Sequence, residues 1–183
     1  LRENGYDGIL LSQVENFSMA TGGGRNHIYI MSEHGVCSMF IDKDGRAFLV
    51  ANTIELPRTM DEELVGLDVQ ALPYLWFEST PATVVQCHFN GRFCSDDGSL
   101  GDNVNGRLAY IRSLLTPDEL EKYRRLGKLA AEAMTATLDG IEAEMTEADI
   151  TARIVAEGAK RHCLVPVALV AADERIAKYR HPL

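Results

Sequence analysis

The sequence has few of the features that mark specialised classes of protein. It holds one Trp, six Pro and four Cys in 183 residues, with no C-x-x-C pair and no long basic run. Such cysteine spacing is poor for a structural zinc site, and so few cysteines favour a reduced, intracellular protein of the cytoplasm. The longest apolar stretch, residues 163–172, is far shorter than the about 20 residues of a membrane-spanning helix.

What is present is an ordinary globular composition. Hydrophobic residues make up 46% and charged residues 25% of the chain, which is enough for a buried core of its own. The net charge of -9 repels phosphate backbones and anionic lipid surfaces. We therefore expect neither a nucleic acid nor a membrane as a partner.

Apolar runs and turn signals predict a mixed first half. Residues 1–5 resemble the end of a helix stopped by Gly5, so we expect a helix upstream. A strand is predicted at residues 8–11, and an antiparallel meander at residues 28–31, 36–41 and 47–50, separated by His34-Gly35 and Asp44-Gly45. A short helix at 60–64 and a strand at 67–72 follow. The Gly- and Asp-rich residues 89–106 read as loop or linker, which places the domain boundary between residues 106 and 107.

Two helices and a strand are predicted beyond that boundary. Thr116-Pro117-Asp118-Glu119 combines an N-cap, a first-turn proline and a capping-box glutamate, and Thr146 with Asp149 forms a second such start. The first helix carries an apolar stripe at spacings of three and four: Leu120, Tyr123, Gly127, Ala130, Met134, Leu138 and Ile141. Residues 165–172 are apolar and β-branched enough for a buried strand.

Several residue groups are candidates for chemistry, each with a simpler structural reading. The segment Gly22-Gly23-Gly24-Arg25-Asn26 is either an anion-binding nest or, as its spacing favours, a tight turn. The pairs Cys87-His88 and His162-Cys163 place a thiol beside an imidazole, but adjacent side chains often point apart, so core or surface roles are favoured. The acidic groups Asp61-Glu62-Glu63 and Asp96-Asp97 are most simply solvated charge.

His181 is the most interesting of the candidates. It follows the predicted strand closely, where a histidine can hydrogen-bond a substrate carbonyl or relay a proton near neutral pH. From the residues alone, a surface histidine near a frayed chain end is the favoured reading.

The order of segments resembles one known family, the creatinase, aminopeptidase P and prolidase group of metallopeptidases. Residues 12–22 resemble the turn early in its N-terminal domain that runs from an asparagine to tyrosine-leucine-threonine-glycine. Residues 107–120 are similar to the stretch between the family's two domains, with Arg112 where a lysine is usual. Thr146-Glu147, residues 167–170 and Arg180-His181-Pro182 are similar to the opening of its pita-bread catalytic domain.

The resemblance implies an α/β protein in two parts. Residues 1–106 would be a creatinase-type N-terminal domain, a mixed sheet with an antiparallel meander and flanking helices. Residues 107–183 would be the truncated first part of a pita-bread α+β domain. In the family, the N-terminal domain shapes the substrate pocket and builds the dimer contact, so a homo-oligomer is expected.

The resemblance also implies a hydrolase whose metal site lies elsewhere. Family members bind two divalent metals, Mn, Co or Zn, through two aspartates, a histidine and two glutamates, all downstream of the position that His181 matches. The parent protein would be an Xaa-Pro aminopeptidase or dipeptidase acting on peptides or dipeptides, and this chain would be inactive. His181 would be the substrate-side histidine near the metals, stabilising the tetrahedral intermediate by a hydrogen bond.

Two other functions stay open at this point. A creatinase-like amidinohydrolase cuts a C–N bond with the same fold and no metal, and a binding module of the same fold captures peptides or proteins. A half-domain would also leave helix faces and a sheet edge uncovered, which predicts self-association or a large exposed patch.

Overall fold

Two compact units make up the protein. The computed structural model describes residues 1–182. The first unit is Leu1–Leu114, and the second begins at Leu115. The domain boundary predicted between residues 106 and 107 falls inside a helix of the first unit, Asn105–Arg112, and stays a prediction.

A six-stranded mixed sheet forms the centre of the first unit. Its strands lie in the order β4-β3-β2-β1-β5-β6. β2 pairs antiparallel with both β1 and β3, and the other pairings are parallel, so every strand except β2 runs the same way. The strands are β1 (Gly8–Gln13), β2 (His34–Asp42), β3 (Ala47–Asn52), β4 (Val69–Tyr74), β5 (Phe93–Ser95) and β6 (Asp102–Asn103). The predicted mixed sheet with flanking helices is confirmed.

The antiparallel meander is present but is built from other segments than predicted. It consists of β1, β2 and β3. The strand predicted at residues 28–31 is wrong, because β1 already occupies the edge of β2 and leaves this run no neighbour to pair with. These residues form an irregular loop, in which Ile28 is 70% and Tyr29 is 69% exposed.

The loop or linker predicted at residues 89–106 is also wrong. β5 lies beside β1 and carries β6 on its other edge, and Cys94 and Leu100 are buried in the core. The glycines of this segment shape close turns between short strands. Gly101 has φ 74 and lies so near Phe93 that a Cβ would be 2.2 Å from the Phe93 carbonyl oxygen.

Two hydrophobic clusters cover the two faces of the sheet. Because successive side chains of a strand point to opposite faces, Ile9 and Leu11 join one cluster and Leu10 joins the other. On the second face, Phe40 packs against Phe89 at a ring-centroid distance of 4.7 Å. The helices of this unit are α1 (Val14–Thr21), α2 (Leu56–Arg58, continued by a π turn over Thr59–Glu63), α3 (Pro81–His88) and α4 (Asn105–Arg112).

The second unit is helical, and both predicted capping boxes are confirmed. α5 (Pro117–Leu138) begins after Thr116, whose side chain accepts from the Glu119 amide while the Glu119 side chain accepts from the Thr116 amide. α6 (Glu147–Ala159) begins in the same way at Thr146 and Asp149. A short helix, α7 (Glu174–Lys178), follows. None of the helices within residues 1–182 is long and apolar enough to cross a bilayer.

The buried strand predicted at residues 165–172 is wrong. This segment is irregular, with Val167 and Leu169 exposed. A strand needs a neighbour to satisfy its backbone groups, and in residues 115–182 the structure has no strand for it to pair with.

Candidate functional site

His181 lies after α7, in the last described part of the second unit, and its side chain is exposed. Glu147, the first residue of α6, anchors the segment that leads to it. One of its carboxylate oxygens accepts from the Ala172 amide at 2.8 Å and from Arg175 Nε at 2.9 Å. Between these two partners, Asp173 has φ 49 and ψ -128. These contacts join residues 25 and 28 positions apart, and the sequence carries no local signal for them, so this anchoring role was missed.

The residues present do not form a metal centre. Within residues 1–182, no group of three or more His, Cys, Asp or Glu side chains is placed to hold a metal ion. A two-metal hydrolytic site needs a set of carboxylate and imidazole ligands around each ion.

A buried carboxylate lies at the end of the sheet where the parallel strands β1 and β5 stop. Asp96 directly follows β5 and is fully buried. It accepts hydrogen bonds from the Ser12 and Gln13 amides, each at 2.9 Å, and from Asn16 Nδ2 at 3.0 Å. Asp96 thus binds the chain at the point where β1 passes into α1, and the prediction that it is solvated charge is wrong.

The same cluster extends to the end of α4. Arg112 donates to Asn16 Oδ1 and, at 3.4 Å, to Asn105 Oδ1. Its guanidinium also pairs with Glu15 at 3.6 Å. Hydrogen bonds therefore link the Asp96 carboxylate after β5, the Asn16 amide in α1 and the Arg112 guanidinium at the end of α4. Asp96, Asn16 and Arg112 are not among the described residues with a buried side-chain polar atom that lacks a partner, which fits a role in holding the ends of β1, β5 and α4 together.

The glycine-rich segment forms the tight turn that its spacing favoured. Gly22 and Gly23 have φ 72 and 122, and the Gly24 amide donates to Thr21 Oγ1 at 2.9 Å. The next amide, that of Arg25, donates to Glu63 Oε2 at 2.8 Å. The anion beside this turn is thus the protein's own Glu63 carboxylate. The prediction that Glu63 is solvated charge is wrong.

The cysteines form neither disulfides nor catalytic dyads. All four are free thiols. Burial raises the pKa of Cys37 to about 11 and that of Cys94 to about 11, so both are protonated at neutral pH. Cys87 is exposed, and the neighbouring His88 ring bonds through Nδ1 to the Val84 carbonyl at 2.8 Å.

An apolar cavity of about 340 Å³ opens in the first unit. Ile9, Leu11, Met19 and Leu108 line it. Two polar side chains that also line the cavity bond to each other: Arg107 donates to Asn4 Oδ1 at 2.8 Å. Of the titratable side chains that line the cavity, Tyr6 donates through its hydroxyl to Asp102 Oδ2 at 2.6 Å, and Cys94 is buried.

Known proteins share this fold at low sequence identity. No protein-family model and no curated protein matches the sequence. Among solved structures, the prolidase from Pyrococcus horikoshii OT3 matches with a TM-score of 0.62 at 12% identity, over 87% of this chain and 46% of that one. The Xaa-Pro dipeptidase from Bacillus anthracis matches with a TM-score of 0.59 at 14% identity, over 87% of this chain and 46% of that one.

The chain has the fold of part of a prolidase. The X-Pro aminopeptidase from Thermotoga maritima MSB8 agrees, with a TM-score of 0.57 at 16% identity, over 85% of this chain and 47% of that one. The resemblance to the creatinase, aminopeptidase P and prolidase group is confirmed at the level of the fold. The chain spans about half the length of these prolidase and peptidase structures.

Proposed function

We propose that this chain is part of a metal-dependent hydrolase of the Xaa-Pro aminopeptidase or dipeptidase type. The observation that carries the proposal is the fold shared with prolidases over 87% of the chain. The order of residues 12–22, 107–120 and 180–182 along the chain, which resembles that of the family, also supports it. The substrate is a peptide or dipeptide, bound by the whole protein.

The metal ligands of that hydrolase are supplied outside the residues described. Two divalent ions, Mn, Co or Zn, would be the cofactors of the parent protein, and when bound they would supply Lewis-acid activation of water and of the substrate carbonyl. The inactivity of the 183-residue chain alone is part of the same proposal and follows from placing the metal ligands outside it. The domain boundary at residues 106 and 107, a homo-oligomeric assembly and a cytoplasmic location belong to the same proposal.

His181 is the residue of this chain that contacts the substrate. It donates a hydrogen bond to the substrate carbonyl oxygen as that oxygen gains charge in the tetrahedral intermediate. Its exposed side chain supports this role, as does the anchoring of its segment through Glu147. Such a donor typically contributes about 3 kcal/mol to transition-state stabilisation.

Turnover of an Xaa-Pro dipeptide tests the proposal. The product of the complete reading frame is assayed with Mn²⁺ beside the 183-residue chain. We expect turnover by the former and none by the latter, and His181→Ala should lower kcat about 100-fold with little change in KM. His162→Ala is the matched control, an exposed histidine of the same unit, and should keep full activity.

Two results would contradict the proposal. Hydrolysis that survives exhaustive chelation would favour an amidinohydrolase-like mechanism, and peptide binding without any turnover would favour a binding module. A His181→Ala variant with unchanged kcat would remove His181 from the substrate site and leave the rest of the proposal standing.

A further inference from the structure

Three asparagines of the chain are each followed by glycine: Asn4, Asn90 and Asn105. The side-chain amide of an asparagine can be attacked by the backbone nitrogen of the next residue, and a glycine there leaves the attack unhindered because it has no Cβ. The local sequence gives the three pairs similar reactivity. Their surroundings in the structure therefore decide which of them reacts.

Asn4 is held by both its backbone and its side chain. It belongs to a single 3-10 turn, Arg2–Asn4, and the Gly5 amide donates to the Arg2 carbonyl at 3.1 Å. Asn4 Oδ1 accepts from Arg107 at 2.8 Å. In a helical backbone ψ is about -20 to -45°, which turns the next amide nitrogen away from the side-chain carbonyl carbon.

Asn105 is held in the same way. It is the first residue of α4 and has a helical backbone. Its Oδ1 accepts from Asn16 Nδ2 at 3.2 Å and from Arg112 Nη1 at 3.4 Å. Attack by the Gly106 nitrogen would require these contacts to break and the first turn of α4 to open.

Asn90 has none of these restraints. It is exposed and lies outside any helix or strand, in the connection between α3 and β5. Within residues 1–182, no hydrogen bond holds the Asn90 side chain or the Gly91 amide. The carbonyl carbon and the nitrogen that attacks it are therefore free to reach the reactive geometry.

The packing of this turn requires glycine at position 91. Gly91 has φ 147, which a residue with a Cβ rarely adopts, and a Cβ there would be 2.6 Å from Asp7 Cβ. Asp7 is itself fixed, because it accepts from the Arg92 amide at 2.9 Å and from Lys43 Nζ at 2.7 Å. The fold therefore places the residue that makes Asn90 most reactive directly after it.

We propose that Asn90 is a modification site, at which the folded chain deamidates at least tenfold faster than at Asn4 or Asn105. The Gly91 nitrogen bonds to Asn90 Cγ, the bond from Cγ to Nδ2 breaks, and the Gly91 proton passes through solvent to the leaving nitrogen, which departs as ammonia. Water then opens the five-membered succinimide at either carbonyl, which gives aspartate or isoaspartate. The inference does not depend on the proposed peptidase function.

The modification changes the charge and the chain length before β5. Asn90 lines a cavity of about 200 Å³ together with three carboxylates, those of Asp7, Asp42 and Asp44. Lys43, which also lines it, already pairs with Asp7 at 2.7 Å. Arg46 pairs with Asp42 at 2.6 Å in the same way. The new carboxylate therefore adds a like charge to this cavity, and isoaspartate also adds a methylene to the main chain.

Ageing of the 183-residue chain at pH 8 in water enriched in heavy oxygen tests the proposal. The water that opens the ring leaves one heavy oxygen in each product, so deamidation during a later digestion in ordinary water carries no label. Trypsin separates the three pairs into peptides 3–25, 59–92 and 93–107, and tandem mass spectrometry locates the label. The labelled fraction should be at least tenfold larger at Asn90 than at Asn4 or Asn105, because local opening must precede reaction at the latter two.

Two controls separate the effect of the fold from that of the sequence. Asn90→Gln should remove the label from peptide 59–92, because the larger ring that glutamine forms closes far more slowly. In guanidinium chloride, where no structure holds them, the three pairs should react within about threefold of one another. Labelling of Asn90 in the folded chain that is no greater than at the other two sites would overturn the proposal. A tenfold preference for Asn90 that persists in guanidinium chloride would overturn it as well.

Discussion

Asn16 Nδ2 donates a 3.0 Å hydrogen bond to Asp96 Oδ2, joining two residues 80 positions apart in the chain. The other end of the Asn16 amide accepts from Arg112. A single buried side chain thus joins the first turn of α1 to the end of β5 and the end of α4. Each group in this cluster satisfies a polar neighbour that would otherwise be buried without a partner.

Removing the carboxylate of this cluster should destabilise the first unit strongly. Asp96→Ala leaves the Ser12 and Gln13 amides and the Asn16 side chain without their acceptor, at a cost of about 3 kcal/mol. Urea unfolding followed by circular dichroism measures the loss. Asp68→Ala, at an exposed position, should change the unfolding free energy by less than about 0.5 kcal/mol. Equal stabilities for the two variants would contradict the role given to Asp96.

The acid sensitivity of α6 should depend on Glu157. Lys160 at 2.6 Å and Arg161 at 2.7 Å lower the pKa of Glu157 from 4.5 to about 2. Because the pKa is lower in the folded state, the ionised carboxylate stabilises the fold above about pH 4.5. That stabilisation is lost as the pH falls from 4.5 towards 2.

A pH series of unfolding measurements on Glu157→Gln checks this. The variant should be less stable than wild type at pH 6, and the difference should shrink to nothing near pH 2. Glu174→Gln is the control, since that side chain is 78% exposed in its pair with Lys178. A stability difference for Glu157→Gln that stays constant with pH would count against the depressed pKa.

Replacing Asp173 by glycine should stabilise the second unit. Its φ of 49 and ψ of -128 are unfavourable for a residue with a Cβ and accessible to glycine. Asp173→Gly should therefore raise the free energy of unfolding by about 1 kcal/mol. Asp139→Gly, at a right-handed helical position with φ -62, should lower it by about 0.5 kcal/mol instead. Thermal unfolding measures the stability of both variants. A loss of stability in both would show that the backbone at Asp173 is not strained.

Thiol labelling should separate the cysteines by burial. At pH 8, Cys87 should react quickly with a thiol reagent, because it is exposed. Cys37 and Cys94 should resist, because their pKa values of about 11 leave almost no thiolate and the reagent cannot reach them. All four should label in guanidinium chloride, and fast labelling of Cys37 in the folded chain would contradict its burial.

Local signals in the sequence predicted local structure well. The capping boxes at Thr116 and Thr146 formed as expected, because their hydrogen bonds join residues three positions apart. Gly22 and Gly23 formed a turn for the same reason. These features depend on neighbours that the sequence places side by side.

Long-range pairing could not be predicted in the same way. Residues 28–31 have strong β propensity but no free strand beside them, while β5 forms from three residues because β1 offers a parallel edge. The burial of Asp96 depends on amides more than 80 positions away. The order of motifs predicted the family fold but not the irregular segment before His181, and the substrate role of His181 stays a prediction.

Metal content of the complete gene product tests the central claim most directly. Native mass spectrometry of that product and of the 183-residue chain measures the number of metal ions bound to each. The account predicts two divalent ions on each complete chain and none on the 183-residue chain. A complete product that binds no metal and still cuts or captures its ligand would contradict a metal-dependent peptidase.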